Sequence, residues 1–158
     1  MTDQTVVVRT VVLPHPPEDV FAAVMSPEIA PQIDPAVRRW EPDRRPIGVG
    51  TRFTIRGWIQ WLPIRGTSVV TAWDPPRVGV FEGVSPKRPL RIRAVHRFEA
   101  GGAGTRYTWE FTITHPSVIG RAVARITAPL VERTIDDQQR TLARWLDDHP
   151  GAATFAQL

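Results

Sequence analysis

The feature that most constrains this chain is a long amphipathic segment near its C-terminus, which follows a series of alternating, strand-like segments. Between residues 117 and 146, apolar or uncharged side chains recur at steps of three and four, as they do on one face of an α-helix. Most charged residues fall off that face, and Ser117 is positioned to cap the first turn. The predicted buried stripe consists of Ile119, Val123, Ile126, Leu130, Thr134, Gln138, Leu142 and Trp145. One long helix is therefore expected to lie across a sheet.

Pro129 lies inside this helical segment. A proline removes one backbone hydrogen bond and clashes with the preceding turn, so helices commonly bend there. The sequence therefore predicts a kink near residues 125–128.

The segments before the helix indicate a mixed order of strands and short helices. Residues 5–13 form a first strand that ends at a proline-rich turn. Pro17 and the acidic residues after it are typical of a helix start. A second short helix is predicted at residues 28–33 and an edge strand at 37–41. A strand at 51–61 and four more strands follow, which makes the chain α+β.

The best-determined hairpin joins residues 91–100 to residues 105–115. A four-residue loop between them sets His96 opposite Trp109 and Phe98 opposite Tyr107. The face that carries these four residues is mostly apolar, and the other face is mostly polar. The apolar face is therefore expected to point toward the helix.

The preceding hairpin is less determined, because its loop around residues 85–89 has no fixed length. A loop centred on residue 87 sets Val80 opposite Ala94 and Glu82 opposite Ile92. That register would place Glu82 on the apolar face that also carries Ala94 and His96.

The strand at 51–61 leaves two orientations open. Either the odd-numbered residues from Phe53 to Trp61 face inward, or Arg56, Trp58 and Gln60 do. The first orientation is favoured because it buries more apolar surface.

Composition limits the classes of function. The 158 residues suit one domain, and 42% hydrophobic content is enough for one core. The absence of cysteine and of a long apolar run favours a cytoplasmic protein without a membrane span. The net charge of +4 comes almost wholly from arginines, which alternate with acids instead of clustering. This pattern argues against nucleic acid as a partner.

Three motifs and the terminal helix carry a resemblance to a known superfamily. They are VVLPHPPEDVFAAVMSPE at the start, then GVGTRF, then the VTAWDPPRV turn. With them the chain resembles the START-like, helix-grip (SRPBCC) superfamily over residues 5–148, most closely its polyketide cyclase/dehydrase-like branch. The resemblance implies one domain over residues 1–158, with residues 149–158 as a flexible tail. It also implies a curved antiparallel sheet around a kinked helix, with an apolar cavity between them.

Two titratable residues are candidates for chemistry in that cavity. His96 would sit on the apolar face, where it could transfer a proton near neutral pH or simply pack with a satisfied ring. Glu82 could assist it, or it could be a solvated carboxylate paired with Arg56 or Lys87. No residue spacing indicates a metal site or a cofactor site.

The remaining candidate residues are apolar and are expected to line the cavity, with glycines at 57, 79 and 83 bending the sheet or leaving space. The predicted ligand-binding residues are Phe53, Ile55, Val80, Ala94, Phe98, Tyr107, Trp109, Phe111, Val123, Ile126 and Leu130.

Three hypotheses of function follow. The first is a module that binds a hydrophobic small molecule, such as a lipid, a fatty acyl compound or a polyketide-like compound. The second is a cyclase or dehydratase that uses His96. The third is an adaptor on a ribosome or chaperone, which would use the outer-face arginines Arg88, Arg91, Arg93 and Arg97. The sequence does not determine the ligand or the oligomeric state.

Overall fold

The computed structural model of the chain describes residues 3–84, 90–115 and 118–158. One antiparallel sheet lies against a long C-terminal helix, with two short helices after the first strand. The strands are β1 (Asp3–Leu13), β2 (Val37–Pro42), β3 (Arg52–Ile59), β4 (Leu62–Asp74), β5 (Val78–Val84), β6 (Arg91–Gly101) and β7 (Gly104–His115). The helices are α1 (Pro17–Met25), α2 (Ala30–Ile33) and α3 (Val118–Asp148).

The strands pair in the order β1-β7-β6-β5-β4-β3-β2, so that β1 and β2 form the two edges. From β2 to β7 each strand pairs with the next strand along the chain, and β1 pairs with β7. This topology confirms the predicted α+β helix-grip fold.

The two short helices begin and end close to where the sequence predicts. Pro17 occupies the start of α1, with Glu18 and Asp19 in its first turn, and the helix ends at Ser26. The second helix is shorter than the predicted 28–33. The amide hydrogens of residues 29 and 30 bond back to the carbonyl of Ser26 and form a turn instead, so α2 begins at Ala30.

The register of β6 with β7 is confirmed: His96 lies opposite Trp109 and Phe98 opposite Tyr107. The predicted register of β5 with β6 is wrong by one residue, since Phe81 lies opposite Ala94 and Glu82 opposite Arg93. A shift of one residue turns every side chain of a strand to the other face. The observed register buries the ring of Phe81, a larger gain of apolar burial than the predicted register provides.

Strand β3 has the favoured orientation. Phe53, Ile55, Gly57 and Ile59 face inward, and Arg56 and Trp58 face outward. Trp61 is different, because β3 ends at Ile59 and Trp61 lies in the two-residue hairpin loop, largely exposed.

Helix α3 continues without a break through Pro129, and its predicted cap, Ser117, lies outside the described residues. Its C-terminal half buries the predicted face. In its N-terminal half the buried residues are Gly120, Ala124 and Val131, whereas Ile119 and Ile126 are exposed. The predicted stripe contains five steps of four and two of three, which carry it about 80° around a 3.6-residue helix. The stripe therefore leaves the buried face toward its N-terminal end.

The C-terminal residues 149–158, expected to form a flexible tail, return over α1. A short 3-10 turn, Ala152–Thr154, packs there with Ala152 fully buried. The backbone amide of Ala153 donates to the Asp19 carboxylate at 2.9 Å. Asp19 thus joins the end of the chain to α1.

One strand position tests the packing of β2 on β3. A Cβ atom added to Gly57 would lie 1.6 Å from the backbone oxygen of Ala36. We expect Gly57→Ala to lower the free energy of unfolding by about 3 kcal/mol, because backbone atoms must move to admit a methyl group. Urea unfolding measures the change. The matched control is Gly66→Ala, whose Cβ would lie 3.9 Å from its nearest neighbour. Equal effects of the two substitutions would contradict this account.

Candidate ligand-binding site

The inward-facing residues between the sheet and α3 are fully buried at one end of the helix, which we call the closed end, and only partly buried toward the other. At the closed end Phe21, Phe98, Leu142 and Leu146 are fully or almost fully buried. Toward the N-terminal half of α3, inward-facing apolar residues are only partly buried: Ile55, Ile92, Ala94, Trp109, Phe111, Val123 and Leu130. Apolar side chains that face inward yet keep contact with solvent indicate a cleft. We call this the open cleft.

A buried polar group lies where the closed end meets the open cleft. The Nδ1 atom of His96 lies 2.9 Å from the hydroxyl of Tyr107. The histidine ring is held between Phe81, at a ring distance of 5.9 Å, and Trp109, at 4.9 Å. Gln138 of α3 also hydrogen-bonds to Tyr107. The Tyr107 hydroxyl therefore joins two sheet strands to the helix.

Burial keeps both members of this pair neutral. It lowers the pKa of His96 to about 3. It also raises the pKa of Tyr107 well above its usual value, and the nearby charge of Asp34 adds to this effect. The hydrogen bond from Gln138 acts in the opposite direction, as expected when an amide hydrogen is donated to the phenol oxygen. The phenol hydrogen is then donated to His96 Nδ1, so that the ring carries its own proton on Nε2.

Asp34 is the titratable residue of the site that the sequence did not single out. It ends α2, and its Oδ1 accepts the backbone amide of Ala36 at 2.9 Å. Burial raises its pKa to about 6, although the hydrogen bond from Ala36 opposes the shift. A carboxyl group with this pKa exchanges its proton close to neutral pH.

Two unsatisfied polar atoms lie beside the His96–Tyr107 pair. Within the described parts of the chain, Trp109 Nε1 and Gln138 Oε1 are buried without a hydrogen-bond partner. A buried polar atom without a partner costs about 1–3 kcal/mol, so such atoms need an explanation. One is a donor and the other an acceptor, as a ligand with a carbonyl and a hydroxyl group would require.

The structure brings together part of the predicted site. His96, Ala94, Tyr107 and Trp109 face inward on adjacent strands. Phe111, Ile55, Val123 and Leu130 border the open cleft. Phe53 and Phe98 belong to the packed core near the closed end.

Three of the predicted residues lie elsewhere. Glu82 is on the outer face, where its carboxylate pairs with Arg93 at 3.3 Å, and it does not share the face of His96. Val80 is on the same outer face, opposite Val95. Both corrections follow from the one-residue shift of β5. Ile126 lies on the exposed flank of α3. Lys87, an expected partner of Glu82, lies outside the described residues.

The outer-face arginines of the adaptor hypothesis are partly neutralised. Arg93 pairs with Glu82, and Arg97 pairs with Glu110 at 3.5 Å. Arg88 lies outside the described residues. This face therefore alternates charges of both signs and gives no support to an anionic partner there.

Comparison with known proteins identifies relatives of the fold. A family model described as "Polyketide cyclase / dehydrase and lipid transport" matches residues 4–147. No curated protein sequence matches significantly. No helix in the described ranges is long and apolar enough to cross a membrane.

Three solved structures illustrate the similarity of fold. The Zhui aromatase/cyclase from Streptomyces sp. R1128 is 15% identical with a TM-score of 0.80, over 96% of this chain and 98% of that one. The di-domain aromatase/cyclase StfQ from the steffimycin biosynthetic pathway is 11% identical with a TM-score of 0.75, over 94% of this chain and 52% of that one. Ara h 8.0201 is 14% identical with a TM-score of 0.61, over 89% and 99%.

The opposite pKa shifts of His96 and Asp34 predict how stability depends on pH. The pKa of His96 is about 3, below its ordinary value of 6.5, so between these values the unfolded chain binds a proton that the folded chain does not. The free energy of unfolding therefore falls as pH falls below 6.5, by up to about 1.4 kcal/mol per pH unit. Asp34, with a pKa raised from 3.8 to about 6, acts in the opposite direction and offsets part of this loss.

Two variants separate these contributions. Between pH 7 and pH 4.5, His96→Phe should lose about 2 kcal/mol less stability than the unsubstituted protein, because its ring cannot take up a proton in the unfolded state. Asp34→Asn should lose more than the unsubstituted protein, since the offset is gone. Urea unfolding at several pH values measures both differences. Parallel curves for all three proteins would contradict the buried, neutral state assigned to His96.

Proposed function

The chain belongs to the polyketide cyclase/dehydrase and lipid transport family, and from this premise we propose that it binds a hydrophobic small molecule in the open cleft. The ligand class is a lipid, a fatty acyl compound or a polyketide-like compound. The observation that carries the proposal is the row of half-buried apolar residues that ends at the unpaired Trp109 Nε1 and Gln138 Oε1.

The apolar part of the cleft supplies most of the affinity in this proposal. Burial of apolar surface contributes about 25 cal/mol per Å², so a ligand that covers a few hundred Å² gains several kcal/mol before association costs are subtracted. The two unpaired atoms supply orientation. A ligand carbonyl accepts from Trp109 Nε1 and a ligand hydroxyl donates to Gln138 Oε1, which removes two penalties of the free protein.

A second candidate function is cyclisation or dehydration of a polyketide-like chain. The pKa of about 6 at Asp34 supports it, as does the similarity of fold to two aromatase/cyclases. In this mechanism the Asp34 carboxylate accepts a proton from a carbon next to a carbonyl. His96 has too low a pKa to be the base at neutral pH, and it acts instead by holding the Tyr107 hydroxyl.

Filling the cleft tests the binding proposal. Ala94→Phe adds a ring at a half-buried, inward-facing position of β6, and Ala100→Phe makes the same change at an exposed position of the same strand. We expect the first to weaken binding of a fluorescent fatty acid by at least about tenfold, because it displaces apolar contact surface. The second should leave binding unchanged. The measurement is a fluorescence titration, and equal affinities for both folded variants would refute the site.

The enzymatic alternative has its own test. With a poly-β-carbonyl thioester as the probe, loss of water or ring closure is followed by mass spectrometry. Asp34→Asn should lower turnover by about 10²- to 10⁴-fold if Asp34 is the base, while binding of the fatty acid probe persists. A protein that binds the thioester without converting it would favour the binding function alone.

A further inference from the structure

The hairpin between β3 and β4 carries an unusual outer face. Arg56 and Arg65 lie directly opposite each other, and both are exposed. Trp58 follows on the same face with 43% of its surface exposed, and Trp61 in the loop is 67% exposed. Like charges directly opposite each other destabilise a hairpin, and tryptophan is usually buried. The stability of the fold therefore does not explain why these four residues occupy exposed positions on one hairpin.

The N-terminal half of α3 adds a second exposed apolar surface. Ile119 is 78% exposed and Ile126 is 66% exposed. The two residues are seven positions apart, so they lie on one flank of the helix. Arg125, next to Ile126, is also exposed. This half of the helix therefore has large apolar residues on its outer side as well as on its inner side.

One contact ties the hairpin to the middle of α3. The Gln60 side chain donates a hydrogen bond to Thr134 Oγ1 at 3.2 Å, and Ile59 packs against the apolar cluster that contains Val131 and Ile135. Around the helix, Ile119 and Ile126 project within about 80° of Thr134, and along the helix they lie about 22 and 12 Å from it toward the N-terminus. We call Arg56, Trp58, Trp61, Arg65, Ile119 and Ile126 the tip surface.

The turn of this hairpin is tied to α3. Gln60 at the turn has a φ of 56°, a strained value for a residue with a side chain, and its hydrogen bond to Thr134 holds it. The exposed tryptophans thus lie on a hairpin whose turn is fixed to the helix.

The sequence segments that contain the tip surface carry only positive charges. Residues 52–73 contain three arginines and no acidic residue, and residues 111–131 contain two arginines and no acidic residue. Some exposed arginines elsewhere pair with an acid, as Arg77 does with Asp74 and Arg93 with Glu82. The tip surface is therefore complementary to an anionic partner that also accepts tryptophan and isoleucine.

We propose that the tip surface docks on an anionic lipid membrane. Tryptophan is favoured at the boundary between lipid headgroups and acyl chains, and arginine is attracted to anionic headgroups. A second copy of this chain would bring like charges together.

Docking here would bring the membrane close to the open cleft, because Ile55 of β3 borders the cleft and its neighbour Arg56 belongs to the tip surface. This connection rests on the proposed function. A hydrophobic ligand could then pass between bilayer and cleft without crossing water, which is the costly step for such a molecule. The docking itself does not require a bound ligand.

The test is sedimentation with vesicles, one set with 30% phosphatidylglycerol in phosphatidylcholine and one with phosphatidylcholine alone. We expect binding to the anionic vesicles that weakens steeply with salt, and little binding to the neutral ones. Arg56→Glu with Arg65→Glu should lower the partition coefficient by more than about tenfold. Trp58→Ser with Trp61→Ser should also lower it by at least about tenfold, and Trp61 fluorescence should shift to the blue on binding.

Matched controls are Arg106→Glu with Arg144→Glu and the single change Val12→Ser, all at exposed positions away from the tip surface. These should leave the partition coefficient within about twofold. The fluorescent fatty acid titration is run on each variant in parallel without vesicles. Two outcomes would refute docking by the tip surface without refuting the proposed function. In the first, fatty acid binding persists but the protein does not bind vesicles. In the second, the control changes reduce vesicle binding as much as the changes in the tip surface do. Binding to a soluble acidic protein without any binding to vesicles would also refute membrane docking.

Discussion

The structure depends on the hydroxyl group of Tyr107. It lies in the middle of the molecule, where β6, β7 and α3 meet, and it joins His96 to Gln138. A hydroxyl at this depth must be hydrogen-bonded, and the two partners come from elements that are far apart in sequence. Apolar contacts tolerate small shifts of α3 on the sheet, whereas a buried hydrogen bond is lost on such a shift. The bridge at Tyr107 therefore restricts the placement of α3, together with the hydrogen bonds of Gln60 to Thr134 and of Arg9 to Asp136.

The same bridge divides the interior into a part that serves folding and a part that is left open. Beyond Tyr107, toward α1, most large side chains are buried, and Trp40 and Trp73 are partly buried at the edge of this core. On the other side, Trp109 and Gln138 each keep one polar atom without a partner in the described residues, and the apolar wall stays half exposed. A chain optimised only for stability would fill this space. The half-exposed wall and the unpaired atoms are therefore the region that the proposed ligand would occupy.

Sequence reasoning succeeded where local rules are sufficient. The β6–β7 register follows from a short loop and a clean alternation, both of which are visible in the residues from Arg91 to His115. It failed for β5, because Val78, Val80 and Phe81 allow two registers and the loop length does not choose between them. Only the opposing strand decides, by offering space for Phe81 and a charge for Glu82. Asp34 was missed for a similar reason: its raised pKa depends on burial that arises only when the surrounding elements pack around it.

The incorrect prediction of the buried face in the N-terminal half of α3 has a different origin. The periodicity method assumes that large apolar residues of a helix point to the core, and Ile119 and Ile126 satisfied the spacing. In the structure Gly120, Ala124 and Val131 are the buried residues of that half, and the isoleucines remain outside. The small Gly120 and Ala124 let the helix approach the sheet without filling the cleft, whereas isoleucines at these positions would have occupied it. Large residues outward contribute little to folding. The proposed membrane docking would use the outward isoleucines, while the inward glycine and alanine keep the cleft open.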